Sequence, residues 1–240
     1  MKKHIPNFLT CLNVLSGSMA VFMGIYGYIE GVVICILCGM IFDFSDGLVA
    51  RLLHVKSALG KELDSLADVI TFGVAPAILA HSLLKDMMPA DVEVLSLPFV
   101  QSFILFTPLL LPVFSAYRLA KFNLDERQTT HFIGLPVPAN ALFWVSIVLA
   151  KSLVPDLYNL FFSEGWVLVA CVVILSFLLI SELPMFSLKV SGFSWAENKA
   201  RYSYILILAL LFVLTGWAGL LFIIPLYLLI CIICALCQKQ

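Results

Sequence analysis

The chain has 240 residues, of which 62% are hydrophobic and only 12% are charged, and its formal net charge is −1. Its mean hydropathy of +1.07 lies far above that of soluble domains, in which about half of the residues are apolar. This composition predicts an all-α integral membrane protein, leaves no stretch for a soluble domain, and argues against nucleic acid as a partner.

Apolar runs that are long enough to cross a bilayer core of about 30 Å as helices recur along the whole chain. Glycine, proline and charged residues divide them into eight predicted spans, which form a single membrane domain over residues 1–240. The predicted spans are 10–28, 31–52, 65–84, 98–119, 138–154, 165–182, 202–215 and 218–237. The division between the last two rests on the sequence TGWAG alone, because the surrounding run is almost continuously apolar.

Basic residues are distributed unevenly over the segments that connect the spans. If the N-terminus is cytoplasmic, 12 of the 14 basic residues lie in cytoplasmic segments, and the opposite side keeps only Lys85 and Lys151 beside the acidic loop KDMMPADVEV. The positive-inside rule predicts such an asymmetry. We therefore expect both termini on the cytoplasmic side of a bacterial cytoplasmic membrane.

Four aspartates lie in or beside the second and third spans, within the sequence FDFSDGLVARLLHVKSALGKELDSLADVITFG. Asp43 and Asp46 are three residues apart and Asp64 and Asp68 are four apart, so each pair shares one face of its helix. The two helices are consecutive and antiparallel, so the pairs can converge near one membrane edge. A carboxylate in the bilayer costs at least about 2.5 to 3.5 kcal/mol, so the aspartates need a compensating partner.

Converging carboxylates repel one another unless a cation lies among them. Mg²⁺ or Mn²⁺ is the predicted cofactor, because hard divalent cations prefer oxygen ligands and accept water and substrate phosphate as further ligands. Membrane acids also serve as structural ion pairs, conduct cations or relay protons. A divalent-cation or proton-coupled transporter is therefore the alternative from another class of protein.

The residues between the two aspartate pairs suit a ligand that carries phosphate. Gly47 exposes its backbone, and Ala50 keeps the next turn of the helix narrow. Arg51 offers a planar set of donors that matches phosphate oxygens. Ser57 and Gly60 lie in the turn that leads into the third span. Together with a metal, these residues predict a diphosphate ligand, which the transporter alternative does not explain.

The segment DFSDGLVARLLHVKSALGKELDSLAD resembles the signature of the CDP-alcohol phosphotransferase family, D-x2-D-G-x2-A-R-x8-G-x3-D-x3-D, at every specified position. The resemblance implies a helical membrane enzyme, usually a homodimer. Such an enzyme transfers a phosphatidyl or phospho-alcohol group from a CDP-linked donor to an alcohol and releases CMP. The metal would stabilise the departing CMP while a carboxylate takes the proton of the acceptor hydroxyl.

The resemblance also implies roles for individual residues. The implied metal ligands are Asp43, Asp46, Asp64 and Asp68. Asp64 and Asp68 would be catalytic, with Asp68 as the general base. The implied ligands of the CDP portion are Gly47, Ala50, Arg51, Ser57 and Gly60. Asn13 in the first span is a further candidate for the diphosphate or the metal, and a hydrogen bond between helices is the alternative role for its side chain.

Four further segments, IPNFLTCLNVLSG, LDSLADVITFGVAPA, AYRLAKFN and FIGLPVPANA, extend the resemblance from residue 5 to about residue 142. They are similar to the branch of the family that uses CDP-diacylglycerol as donor and L-serine as acceptor. Serine carries a carboxylate and an ammonium group, so Arg118, Lys121 and Asn123 at the end of the fourth span are candidates to bind it. The alternative is that these residues only mark a helix end. Glycerol 3-phosphate or inositol phosphate is the alternative acceptor, and its phosphate would require a denser basic pocket.

Overall fold

The computed structural model describes residues 4–55, 57–88, 97–125, 132–185 and 199–237. In chain order the α-helices are α1 His4–Ile25, α2 Ile29–Leu52, α3 Ala58–Asp68, α4 Ala75–Lys85, α5 Phe99–Phe106, α6 Leu110–Leu124, α7 Val137–Leu153, α8 Pro155–Phe162, α9 Gly165–Ile180, α10 Lys199–Thr215 and α11 Ile223–Cys237. The described residues also include one pair of short antiparallel strands, β1 Phe132–Ile133 and β2 Pro184–Met185. The predicted all-α membrane fold is therefore confirmed.

Five helical runs in the described residues are long and apolar enough to cross a membrane: His4–Ile25, Ile29–Leu52, Ala58–Lys85, Phe99–Leu124 and Lys199–Leu236. The bent pair α8 and α9, whose axes differ by 77°, gives a sixth if it is counted as one span. Helix α7 is apolar but shorter. The structure therefore has a helix at each of the eight predicted positions, whereas five or six of its runs meet the length of a full span.

Helix α3 continues into α4 through a π-helical turn at Val69–Val74, directly after Asp68. The amide of Ala75 donates to the carbonyl of Ile70, five residues earlier, so the helix is locally widened. Such turns are rare and are often found at functional sites. In the most apolar part of the run Ala58–Lys85, 61% of the residues are buried, against 22–33% in the other four runs. The span that carries Asp64 and Asp68 is thus the central one.

Helices α1 and α2 pack closely against the π-helical turn through Thr71. The Thr71 hydroxyl donates to the backbone carbonyl of Asn13 at 3.0 Å. Gly17 on α1 and Gly39 on α2 face Thr71 so closely that a Cβ atom at either position would collide with it. The missing side chains of these two glycines therefore let the first three spans approach one another and place Asn13 beside Asp68.

The last two helices form an antiparallel hairpin, the C-terminal hairpin, which consists of Lys199–Thr215 and the arm from Gly216 to Cys237. The chain turns at Gly216, whose φ of 59° is favourable for glycine, and continues through a 3₁₀ segment, Gly216–Phe222, into α11. The Tyr204 hydroxyl donates to the Ile223 carbonyl at 3.1 Å. A straight helix would place these residues about 28 Å apart. The run Lys199–Leu236 therefore folds back on itself at TGWAG, and its division into two membrane spans stays a prediction.

Candidate active site

Three of the four predicted aspartates converge in the structure. Asp43 on α2 and Asp64 and Asp68 on α3 each offer one carboxylate oxygen, and these atoms all lie within 4.8 Å of one another. Asp68 is buried, with 8% of its surface exposed, and the other two are half-buried. We call these three residues the acidic triad. Carboxylates gathered at this distance and depth fit a hard divalent cation, because they supply several oxygen ligands where water is scarce.

Asp46 lies one helical turn after Asp43 but is outside the acidic triad. The hydroxyl of Thr10 on α1 donates to Asp46 Oδ2 at 2.5 Å, and both side chains are buried. The carboxylate of Asp46 is therefore directed to the α1 side of α2. Its role as a metal ligand stays a prediction.

Asn13 connects α1 to the acidic triad. Its side chain is fully buried, and Nδ2 donates a long hydrogen bond of 3.4 Å to Oδ1 of Asp68. Of the two roles expected for Asn13, the structure shows the hydrogen bond between helices. Because its partner is Asp68, the same bond also joins α1 to the implied general base.

The residues implied to bind the CDP portion differ in their surroundings. Gly47 is exposed, and a Cβ atom added there would meet nothing within 4 Å, so the space beside it is open. Arg51 Nε donates to the Gly47 carbonyl at 2.9 Å. Ser57 is the N-cap of α3, because its side chain accepts a hydrogen bond from the amide of Gly60 at 3.2 Å. Ala50 is half-buried, and its carbonyl accepts from an amide in the turn that ends α2.

Gly60 also permits a close contact between helices, since a Cβ atom there would lie 3.0 Å from Asn7 Oδ1. The local roles of Ser57 and Gly60 explain why these residue types suit the turn without any ligand. Of the five predicted CDP-binding residues, Arg51 is the one that lines the cavity described next. For all five, binding of the CDP portion stays a prediction.

A cavity of about 820 Å³, the catalytic cavity, contains the acidic triad. Its volume lies within the range of small-molecule binding sites. Polar groups from α2, α3 and α6 line one part of it, and these are Asp43, Arg51, Lys61, Asp64, Ser65, Asp68, Arg118 and Asn123. Apolar groups line the rest, and these include Met40, Phe44, Phe122, Leu142 and Ile224. The cavity can therefore accommodate a ligand with a charged head and an apolar tail.

Arg118 on α6 is the buried cation of the catalytic cavity. Only 7% of its surface is exposed, and its guanidinium carbon lies 5.8 Å from the centre of the Phe122 ring. Its Nε atom is buried and has no hydrogen-bond partner among the residues that the structure describes. A buried guanidinium with an unused donor suits an anionic ligand, because it is already desolvated and has a planar set of donors.

The two other residues predicted to bind serine have different positions. Asn123 lines the cavity, where its Nδ2 donates to Ser65 Oγ at 2.9 Å. Lys121 lies outside the residues that line the cavity, and its Nζ is paired with Glu182 at 3.5 Å on the surface. The structure therefore brings Arg118 and Asn123 to the acidic triad and directs Lys121 away from it.

The sequence analysis missed several residues that line the catalytic cavity. Lys61 and Ser65 share the α3 face of Asp64 and Asp68, and the Lys61 ammonium donates to the backbone carbonyl of Asn123 at 2.8 Å. Lys61 lies three residues before Asp64 and Ser65 lies three residues before Asp68, and this spacing was an available signal. Tyr204 and Tyr227 of the C-terminal hairpin also line the cavity. Tyr227 lies in an apolar stretch and Tyr204 follows the start of a helix, and no spacing pattern distinguishes either of them from lipid-facing residues.

The fold and the site together define a helical membrane protein with a candidate divalent-metal site in a cavity that is partly polar and partly apolar. The family described as CDP-alcohol phosphatidyltransferase matches residues 3–178. The chain belongs to this family. Membership favours an enzyme over the transporter that membrane acids alone would allow.

Several curated proteins are similar to the chain. A CDP-diacylglycerol--serine O-phosphatidyltransferase of Bacillus subtilis is 38% identical over 135 residues, which are 56% of this chain and 70% of that protein. A protein of the same name from Mycobacterium leprae is 31% identical over 75% of this chain and 57% of its own length. An archaetidylserine synthase of Methanothermobacter thermautotrophicus is 36% identical over 58% of this chain. The chain spans less than two thirds of the second and third of these relatives.

Proposed function

We propose that the protein transfers the phosphatidyl group from CDP-diacylglycerol to the hydroxyl of L-serine, which gives phosphatidylserine and CMP. The observation that carries this proposal is the catalytic cavity, in which the acidic triad lies beside the buried cation Arg118. The names of the relatives support serine as the acceptor, because two of the three name that alcohol and the third names archaetidylserine as its product.

The donor has a diphosphate and two acyl chains, and the catalytic cavity has matching parts. The triad and Arg51 supply ligands for the diphosphate, and Met40, Phe44 and Leu142 supply apolar contacts for the lipid portion. The open space beside Gly47 allows the backbone to approach a phosphate closely. We therefore place the CDP portion along the end of α2 and the start of α3.

Mg²⁺ or Mn²⁺ held by Asp43, Asp64 and Asp68, with Asp46 as the predicted fourth ligand, would neutralise charge on the diphosphate and on the departing CMP. The seryl oxygen attacks the phosphorus that bears diacylglycerol, and the bond from that phosphorus to CMP breaks. CMP departs with the electron pair of this bond. Asp68, which Asn13 orients, takes the seryl proton. This direct displacement needs no covalent enzyme intermediate.

The acceptor binds on the α6 side of the catalytic cavity. Arg118 presents a desolvated guanidinium for the serine carboxylate, and Asn123 offers polar contacts nearby. Lys121 pairs with Glu182 on the surface, so its contribution is limited to the electrostatic potential near the cavity. Among the described residues that line the cavity, the cations are Arg51, Lys61 and Arg118. An acceptor with its own phosphate would compete for the cations that the donor diphosphate needs.

We further propose that the enzyme lies in a bacterial cytoplasmic membrane as a homodimer, with the catalytic cavity and both termini on the cytoplasmic side. The distribution of basic residues supports this orientation. Lys151 pairs with Asp86 at 2.6 Å in the segments assigned to the opposite side. Water-soluble serine would then reach the donor at the cytoplasmic interface of the membrane.

The test is release of CMP by the purified protein in detergent, supplied with CDP-diacylglycerol, Mn²⁺ or Mg²⁺, and one alcohol at a time. We expect CMP release that depends on serine. Release with glycerol 3-phosphate or inositol phosphate, but not with serine, would show that the protein carries out the same transfer to a different acceptor alcohol. No release with any of the alcohols would contradict the proposed activity as a whole.

A further inference from the structure

The C-terminal hairpin forms one wall of the catalytic cavity. Tyr204, Ile224 and Tyr227 of this hairpin line the cavity together with the acidic triad and Arg118. The family match ends at residue 178, so the hairpin lies beyond the matched part of the chain. Residues that the family signature does not include therefore contact the space in which the substrates would meet.

Tyr227 is held in a defined orientation. Its side chain is 4% exposed, and its ring meets the ring of Tyr204 edge to face, with centroids 6.0 Å apart. The hydroxyl of Tyr204 is itself fixed by the Ile223 carbonyl. The side chain of Tyr227 is hydrogen-bonded to the side chain of Cys231, one helical turn further along α11. Because a thiol is only a weak donor, the phenol is the donor of this pair, and its oxygen keeps lone pairs that can accept a further hydrogen bond.

Arg118, Asp68 and Tyr227 are all buried, and all three line the catalytic cavity. A buried guanidinium and a buried carboxylate attract each other strongly, because little water screens them. A direct pair between Arg118 and Asp68 would occupy the oxygens that the metal and the seryl proton need. A neutral phenol oxygen can instead hold the guanidinium without neutralising it.

We propose that Tyr227 is a positioning residue for Arg118. Its phenol oxygen accepts a hydrogen bond from the guanidinium and keeps it from pairing with Asp68. The remaining donors then face an acceptor alcohol that carries a carboxylate. This inference rests on the proposed function for the identity of the acceptor, whereas its effect on the acidic triad is independent of the acceptor.

The first test is Tyr227→Phe, which removes the oxygen and keeps the ring in its packing. We expect the KM for serine to rise about tenfold, as for loss of a hydrogen bond to a charged group. At saturating Mn²⁺ the KM for CDP-diacylglycerol should stay within about twofold of its original value, because no donor contact is removed. Binding of Mn²⁺ to the substrate-free protein, followed by electron paramagnetic resonance, should weaken as Arg118 moves toward Asp68.

Tyr158→Phe is the matched control. Tyr158 is also 4% exposed, but it lies on α8 and does not line the catalytic cavity. This variant should keep both the KM for serine and the affinity for Mn²⁺. If Tyr227→Phe also keeps both values, or changes only kcat, the proposal is wrong.

The second test combines Tyr227→Phe with Arg118→Met and measures Mn²⁺ affinity without substrate. If Tyr227 acts through Arg118, its substitution should have no further effect once the guanidinium is gone. An equal effect in both backgrounds would overturn the positioning role. The Mn²⁺ titration also separates the two proposals. A wild-type protein that releases no CMP with serine contradicts the proposed function, while the titration still decides the role of Tyr227.

Discussion

Asn13 on α1 donates a hydrogen bond to Asp68 on α3, and this contact joins the first span to the implied general base. The two residues are far apart in the sequence, and both are buried. The close packing of α1 and α2 around Thr71 places Asn13 at this position. The fold of the first three spans therefore has a direct consequence for the chemistry of the site.

Asn13→Ala should lower kcat about tenfold or more, because Asp68 loses a hydrogen bond that orients a charged group. The measurement is CMP release at saturating serine and donor. Ser16→Ala is the matched control, since the Ser16 hydroxyl donates to the Cys35 carbonyl at 2.7 Å and joins α1 to α2 outside the catalytic cavity. Equal kcat values for the two variants would contradict an orienting role for Asn13.

Asp68→Asn should reduce turnover about a thousandfold, because the side chain can no longer accept the seryl proton. The asparagine keeps the volume of the side chain and one oxygen that can ligate a metal, so binding of CDP-diacylglycerol should largely persist at saturating Mn²⁺. Equilibrium binding of the labelled donor to the purified variant, in the presence of Mn²⁺, provides the measurement. A loss of donor binding as large as the loss of rate would show that Asp68 acts mainly as a ligand and not as the base.

Removal of divalent cations by a chelator should abolish turnover, and Mn²⁺ or Mg²⁺ should restore it. Asp43→Asn should raise the Mn²⁺ concentration needed for half-maximal activity by about tenfold or more, because the triad loses one charged ligand. Asp86→Asn is the control, since Asp86 pairs with Lys151 outside the catalytic cavity. The assignment of the triad fails if both variants respond to Mn²⁺ in the same way.

Much of the acidic triad could be predicted from local spacing. Residues three or four apart share a helix face, and two consecutive antiparallel spans bring such faces to one membrane edge. The position of Asp46 could not be predicted in this way, because it depends on Thr10 of another helix. The same limit applies to Tyr227, which lines the catalytic cavity together with Arg118 but comes from a distant and nearly uniform apolar run.

Hydropathy located a helix at each predicted position but not all of the helix ends. Helix α3 begins at Ala58, seven residues before the predicted span, because Lys61 and Asp64 face the catalytic cavity and lower the apolar character of its first turns. Helix α1 likewise begins at His4. A hydropathy window detects the part of a helix that lipid or core surrounds, whereas hydrogen bonding and the Ser57 cap set where the helix begins.

Gly17→Ala should destabilise the protein by about 1 to 3 kcal/mol, because the new methyl group would collide with Thr71 and separate α1 from the π-helical turn. Thermal unfolding in detergent provides the measurement. Gly165→Ala is the matched control, since a methyl group there would make an ordinary contact of 3.5 Å with Met87 Sδ. Equal unfolding temperatures for the two variants would show that the packing around Thr71 tolerates an added side chain.

Arg118 and Lys121 lie one helical turn apart on α6, yet only Arg118 lines the catalytic cavity. Arg118→Met should raise the KM for serine at least tenfold, because the carboxylate loses a charge-assisted contact in a desolvated site. Lys121→Met should change it less than about twofold, since exposed ion pairs such as Lys121–Glu182 contribute little. Initial rates of CMP release over a range of serine concentrations separate the two. A larger effect of Lys121→Met would show that the serine carboxylate binds at the surface of α6 and not in the cavity.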